Sequence, residues 1–295
     1  MRVAVLGPQG SLGVHLCEEL RHAGHDVDPI DRSICDLRNP DRENLYRLRD
    51  RLTEHDCQLV VNCAAYTDVD GAEQNTDEAF QINALGAEMV ARAAGEASAA
   101  LCHISTDFVF DGTQSRAYDE FDEPRPLSAY ARSKLAGERL VQKSGVRSFI
   151  VRVGGLYGRR GRNFVSTLVA RLKVNQPLRI DKQRLTAPTW NRLLSRQLIT
   201  LCERGEHGVY HATCLGETTW YGFAQALCEE AAALGCELPQ TFIGVTTDEL
   251  AAPAARPASS LLDCRMLRLR GLLRLPSWRD ALKGYLTELL IQGEL

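Results

Sequence analysis

The chain predicts an α/β fold, a doubly wound parallel sheet with a smaller lobe after it, and three observations carry that prediction. Short apolar runs alternate with longer amphipathic ones through the first half, the pattern of parallel strands covered by helices on both faces. A glycine-rich turn, Gly7-Pro8-Gln9-Gly10-Ser11-Leu12-Gly13, joins the first apolar run directly to a helical one. After about residue 154 the rhythm breaks: loops lengthen and Pro177, Pro188, Pro239, Pro253 and Pro257 punctuate the chain.

In order, residues 2–6 (RVAVL) read as a buried strand, and 11–23 as a helix with Leu12, Leu16 and Leu20 four apart. A second strand is expected at 26–31 and a helix at 41–54. Strand 58–64 (QLVVNCA), helix 77–96, strand 100–105 (ALCHIS), helix 128–143 and strand 147–153 (RSFIVRV) complete the regular part. Right-handed crossovers make this the Rossmann arrangement. The expected division is a dinucleotide-binding domain over 1–153 and a substrate-binding lobe over 154–295. Two stretches of that lobe, about 180–190 and the isolated strand-like 208–214 (GVYHATC), are expected to return to the main domain and its sheet.

Bulk properties exclude several classes. Of 295 residues, 44% are hydrophobic and 25% charged, with a formal net charge of -3, so neither a disordered tail nor a polyanion-binding surface is indicated. Nucleic acid is not an expected partner, and the locally basic run 265–274 reads as a solvated element edge. No apolar run approaches the roughly 20 residues that span a bilayer, so no membrane is expected. The ten cysteines are scattered singly, without metal spacing. They read as reduced thiols of a cytoplasmic protein, and no metal site is expected.

The glycine turn between a strand and a helix suits a pyrophosphate, since the helix N-terminus offers free N–H groups and a positive dipole end. Its GxxGxxG spacing departs from the commoner GxGxxG. Asp31, at the end of the second strand, would bind ribose hydroxyls and favour NADH, whereas Arg32 beside it would accept the extra phosphate of NADPH. The preference stays open. Tyr130 and Lys134, four apart in SAYARSKLAGERL, share one helix face. A lysine ammonium stabilises a phenolate, so the pair reads as a proton donor with its electrostatic helper, acting as hydride reaches a carbonyl carbon. Ser105 and Thr106, at the carboxyl end of strand 100–105, would polarise the carbonyl oxygen or merely cap the strand. Asp107 and Asp111 read as turn residues or as residues supporting the site from behind, rather than as metal ligands.

The set GPQGSLG, NCAAYTDVDGAE, STDFVFDG, YARSK, GRNF, APTW, GVYHA and ETTWYGFA, in order from Met1 to about Trp278, resembles the extended short-chain dehydrogenase/reductases, most of all their dTDP-4-dehydrorhamnose reductase branch. The resemblance implies a Thr106–Tyr130–Lys134 catalytic triad. It implies NADPH or NADH contacts at Gly7, Gln9, Gly10, Ser11, Leu12, Gly13, Asp31, Asp36, Leu37, Ala64, Ala65 and Tyr66, beside Arg32, Tyr130 and Lys134. The implied substrate is a nucleotide-linked 4-keto-6-deoxy sugar, contacted by Thr106, Asp107, Tyr130, Asn163 and Arg256. A homodimer is the assembly expected of such enzymes. Two segments depart from the branch. RVGGLY (152–157) carries Gly155 where relatives have a bulky aromatic, which predicts a larger sugar cavity. In DKQRLTAPTW (181–190), Arg184 and Leu185 replace the usual glycine pattern. These departures leave two alternatives, a non-catalytic dinucleotide-binding regulatory subunit and an epimerase or reductase acting on a different sugar.

Overall fold

The computed structural model describes residues 1–161 and 163–295; Arg162 of the GRNF segment lies outside the described residues. The first half builds β1 (Arg2–Leu6), α1 (Ser11–His22), β2 (Asp26–Ile30), α2 (Arg42–Glu54) and β3 (Leu59–Asn62). Two short helical turns, Gly71–Gln74 and Thr76–Phe80, run through a π-helical turn at Gln81–Leu85 into α3 (Gly86–Glu96). Then follow β4 (Ala100–Thr106), α4 (Ala129–Lys143) and β5 (Ser148–Val153). Side-chain caps set several helix starts: Asp41 accepts from Asn44 N at 2.8 Å and Ser128 from Ala131 N at 3.2 Å.

All five strands lie parallel in one sheet, joined by a sixth, β6 (Gly208–His211), in the order β6-β5-β4-β3-β1-β2. Alternation assigns the two faces. Val3 and Val5 enter one core cluster with Leu12 and Leu16 of α1; Ala4 and Leu6 enter the other with Leu45, Leu48 and Leu52 of α2.

The second half meets one expectation and departs from another. Residues 208–211 return to the main sheet as expected, pairing with β5 as its edge strand. The 180–190 run does not join that sheet. Leu185–Thr186 pairs with Thr218–Thr219, Thr189–Trp190 pairs with Leu156–Tyr157, and Leu178–Asp181 just before them pairs with Phe242–Val245. These ladders are too short to be read from periodicity. The lobe is otherwise helical, with α5 (Phe164–Lys173), α6 (Asn191–Arg204), α7 (Trp220–Ala233) and α8 (Trp278–Ile291). Leu194 and Leu198 of α6 share a core cluster with Leu12 and Leu16 of α1, so the two halves have a common interior. Three arginines of the basic 265–274 run pair with Asp119, Asp263 and Glu206.

The expected helix 77–96 contains the π turn at its start, and there Asn83 turns inward. Its amide accepts from Tyr66 N at 2.8 Å and donates to Tyr66 O at 3.1 Å and Ser133 Oγ at 2.9 Å. Helix α4 lies close against this turn at Gly137, where a Cβ would come within 2.1 Å of Asn83 O. Gly137→Ala is therefore expected to cost about 1–3 kcal/mol through overpacking and to lower Tm in thermal unfolding; an unchanged Tm would refute this contact.

Candidate active site

The carboxyl ends of β1 and β3 are where the chain departs to opposite sides of the sheet, and open α/β sheets bind ligands at that crevice. A cleft of about 1200 Å³ opens there. Every residue singled out from the sequence as a site candidate lines it, from the glycine turn to Arg256.

The glycine turn leaves β1 and delivers α1 with its first N–H groups facing the cleft. A Cβ at Gly13 would lie 2.1 Å from Gly7 O, so helix and turn meet at a distance only glycine permits. Ser11 is held from the second half by Asn191, whose amide donates to Ser11 Oγ at 2.8 Å. A turn this tight, a helix N-terminus and an elongated cleft fit a dinucleotide pyrophosphate. At the far rim, one oxygen of Asp31 accepts from Ser33 N at 2.9 Å and Ser33 Oγ at 2.6 Å, and these bonds hold its carboxyl below the ordinary range. Arg32 stands beside it, and Asp36 is engaged by Arg38. Leu37, Ala64, Ala65 and Tyr66 form the apolar wall between rim and centre.

At the centre, Thr106 ends β4 while Tyr130 and Lys134 project from the first turns of α4. Thr106 and Lys134 are buried. The Tyr130 ring meets Phe108 edge-on at 6.3 Å. Burial pushes the Tyr130 phenol up to about 12, the Thr106 hydroxyl opposing this and the charge of Asp107 adding to it. Burial likewise brings Lys134 down to about 8, against the pull of Glu138. The expected lowering of the phenol by the ammonium is thus not found. Lys134 Nζ donates instead to Ile104 O at 2.6 Å, and desolvation outweighs other influences on both groups. Asp107 is no mere turn residue: it is buried in the cleft wall and raised to about 6 by that burial, while hydrogen bonds from Ser260 and Thr106 oppose the shift.

In the second half, Asn163 caps α5. Its side chain accepts from Ser166 N at 3.0 Å and donates to Gly158 O at 2.7 Å, so it shapes the loop before α5 rather than offering a free amide. Arg256 pairs with Asp70 through both terminal nitrogens at 2.8 Å. It lines the cleft while engaged in this ion pair. Gly155 has φ +59°, and a Cβ there would lie 2.9 Å from Pro188 Cα. A bulky side chain is therefore disfavoured here by the backbone, and the expected loss of an aromatic does not simply leave a hole. Sequence reasoning passed over two further cleft residues. Arg184, noticed only as an intruder, is anchored by Nε to the buried Asp181 at 2.6 Å. Trp220 follows the cap residue Thr219 and packs on Phe164 with ring centres 4.5 Å apart. Among the described residues no group of three His, Cys, Asp or Glu side chains is arranged to hold a metal ion, and no helix is long and apolar enough to cross a membrane.

Comparison with known proteins agrees with this geometry. The spore coat polysaccharide biosynthesis protein SpsK of Bacillus subtilis is 34% identical, with 97% of each chain covered. The dTDP-4-dehydrorhamnose reductase of Mycobacterium tuberculosis is 35% identical over 95% of this chain and 91% of its own. Among solved structures, dTDP-4-dehydrorhamnose reductase from Bacillus anthracis in complex with NADP superposes with a TM-score of 0.90 at 35% identity, covering 97% of this chain and 99% of that one. The profile of the RmlD substrate binding domain matches residues 1–291, and the chain belongs to that family.

Proposed function

We propose that the cleft reduces the 4-keto group of a nucleotide-linked 6-deoxysugar, dTDP-4-dehydrorhamnose going to dTDP-rhamnose, with NADPH or NADH as reductant. The observation that carries this reading is the convergence of Thr106, Tyr130 and Lys134 at the carboxyl end of β4, beside the glycine turn. Relatives at 32–35% identity that bear the name dTDP-4-dehydrorhamnose reductase support the same substrate.

In this reading residues 1–153 hold the dinucleotide and residues 154–295 the sugar nucleotide. The reduced dinucleotide, when bound, supplies the hydride that reaches the carbonyl carbon. The chain's own residues deal with the oxygen. Tyr130, its phenol at about 12, holds its proton at neutral pH and gives it to the carbonyl oxygen as negative charge develops there. Thr106 donates to the same oxygen and keeps it facing the phenol. The Lys134 ammonium does not lower the resting phenol; its role in this reading is to supply, one turn along the same helix face, the positive charge that balances the phenolate once the proton has left. Arg184 and Arg256, which line the cleft and are each tied to a carboxylate, Asp181 and Asp70, face the substrate diphosphate, the group that guanidinium forks match best.

Purified protein is expected to oxidise NADPH or NADH when given dTDP-4-dehydrorhamnose, read by the loss of reduced-cofactor absorbance. Tyr130→Phe should lower kcat roughly 10²–10⁴-fold, the usual range for a lost general acid; a variant as active as the wild type would sink the assignment. Lys134 is charged below about pH 8 and neutral above it, so kcat/KM should fall as pH rises through that value, whereas a flat profile to pH 10 would contradict the role given to its ammonium. Arg256→Gln should raise the KM for the sugar nucleotide by roughly tenfold or more, as for a lost charged hydrogen bond, with the KM for the dinucleotide unmoved. Equal effects on both KM values would place Arg256 outside the sugar-nucleotide half.

A further inference from the structure

Three consecutive residues of β4 meet three residues of α4 spaced four apart on one face. Ile104 O accepts from Lys134 Nζ at 2.6 Å, Ser105 Oγ donates to Glu138 Oε1, and the Thr106 hydroxyl lies at the Tyr130 phenol. The first and third contacts belong to the proposed chemistry, but the middle one does not. Glu138 is 2% exposed and is gripped by the buried Arg152 of β5, Nε reaching Oε1 at 3.1 Å and Nη2 reaching Oε2 at 2.8 Å. Arg152 lies over the Phe110 ring and approaches His211 Nε2 at 3.4 Å. His211 Nδ1 lies 3.1 Å from Tyr118 O and 3.2 Å from Asp263 O. Nδ1 therefore carries the proton, and Nε2 accepts from Arg152.

Such a chain of buried charges is hard to explain by stability, because desolvation of an interior ion pair offsets most of its attraction. Its location is more informative, since it lies directly behind the active pair. The groups facing Lys134 are Glu138 and Tyr130 on its own helix, His103 on β4 and Cys63 after β3, with Arg152 of β5 behind Glu138. Burial keeps His103 and His211 neutral and the Cys63 thiol protonated. Glu138 therefore supplies the negative charge nearest the ammonium.

We propose that Glu138, clamped by Ser105 and Arg152, is a positioning residue that fixes the register of α4 against the end of β4 and holds the charge of Lys134 in the dry site. This rests on the reduction proposed above only for its catalytic arm, because dinucleotide affinity is measured without sugar.

The test measures NADPH affinity by fluorescence titration from pH 6 to 10 for wild type, E138Q and E138D, with Tm recorded for each. Wild-type affinity is expected to weaken with a midpoint near pH 8, where Lys134 loses its proton. E138Q should move that midpoint to lower pH by about one unit, the size of effect that a close opposite charge exerts. E138D, which keeps the charge, should restore the midpoint while still turning over more slowly. A purely structural residue would lower Tm in both variants and leave the midpoint in place, so an E138Q midpoint equal to wild type overturns the proposal. Ser105→Ala tests the clamp even if E138Q does not fold. It should lower kcat at least fivefold with the sugar-nucleotide KM unchanged, and wild-type kcat in that variant overturns the proposal equally. Absence of turnover with every keto-sugar nucleotide would instead sink the reduction and leave the binding measurement to decide the role of Glu138.

Discussion

Parallel pairing of β1 with β2 on one side and β3 on the other is the constraint from which the site follows. It sends the chain off to opposite sides of the sheet at one edge and leaves a crevice between the departing loops. The glycine turn fills one wall of that crevice, and the segment after β3 fills the other. A Cβ at Gly7 would already lie 3.0 Å from Ala64 N. Because β4 pairs with β3 in register, its last residues reach the same edge and bring Thr106 to the centre. The proposed chemistry, with its cofactor and substrate, is thereby drawn to one end of one sheet before any side chain is chosen.

Burial then does the chemical tuning. A tyrosine, a lysine and an aspartate sit in the same dry wall, and each is displaced toward its uncharged form. For the phenol that displacement suits a proton donor. For the lysine it is a cost, which the neighbouring carboxylate partly offsets. Opposite demands on adjacent groups explain why the site needs a charge behind it as well as charges within it.

What could be read from the chain and what could not divide along physical lines. Leu12, Leu16 and Leu20 mark α1 because a helix repeats its buried face locally, and Gly13 marks the tight turn before it because close approach to Gly7 demands a residue without Cβ. The Tyr130–Lys134 pair is legible for the same reason, being a relation within one helix. The π turn at Gln81–Leu85 is invisible, since one extra residue hardly disturbs the apolar pattern around it. The return of residues 208–211 to the sheet is anticipated from their strand-like run, but the choice of β5 as partner lies beyond local reading, since more than 50 residues separate the two. Gly155 shows the limit of reasoning by comparison: an absent aromatic suggests a wider cavity, yet a left-handed backbone and the contact with Pro188 fill the place differently. The fall of Lys134 to about 8 rests on desolvation, a property of the packed wall that no spacing of residues reports.

The shared interior of α1 and α6 bears on how such a protein can change over time. Helix α1 carries the glycine turn, and α6 begins with Asn191, which holds Ser11 within that turn. The two halves are therefore not exchangeable modules, and the half that would select the sugar cannot be replaced as a block without loosening the half that would bind the dinucleotide. Diversification is left to the loop bearing Arg184 and the adjoining Leu185–Thr186 ladder, which border the cleft and contribute no buried residue to that interior. New specificity in this architecture accumulates by loop replacement around a frame that stays whole.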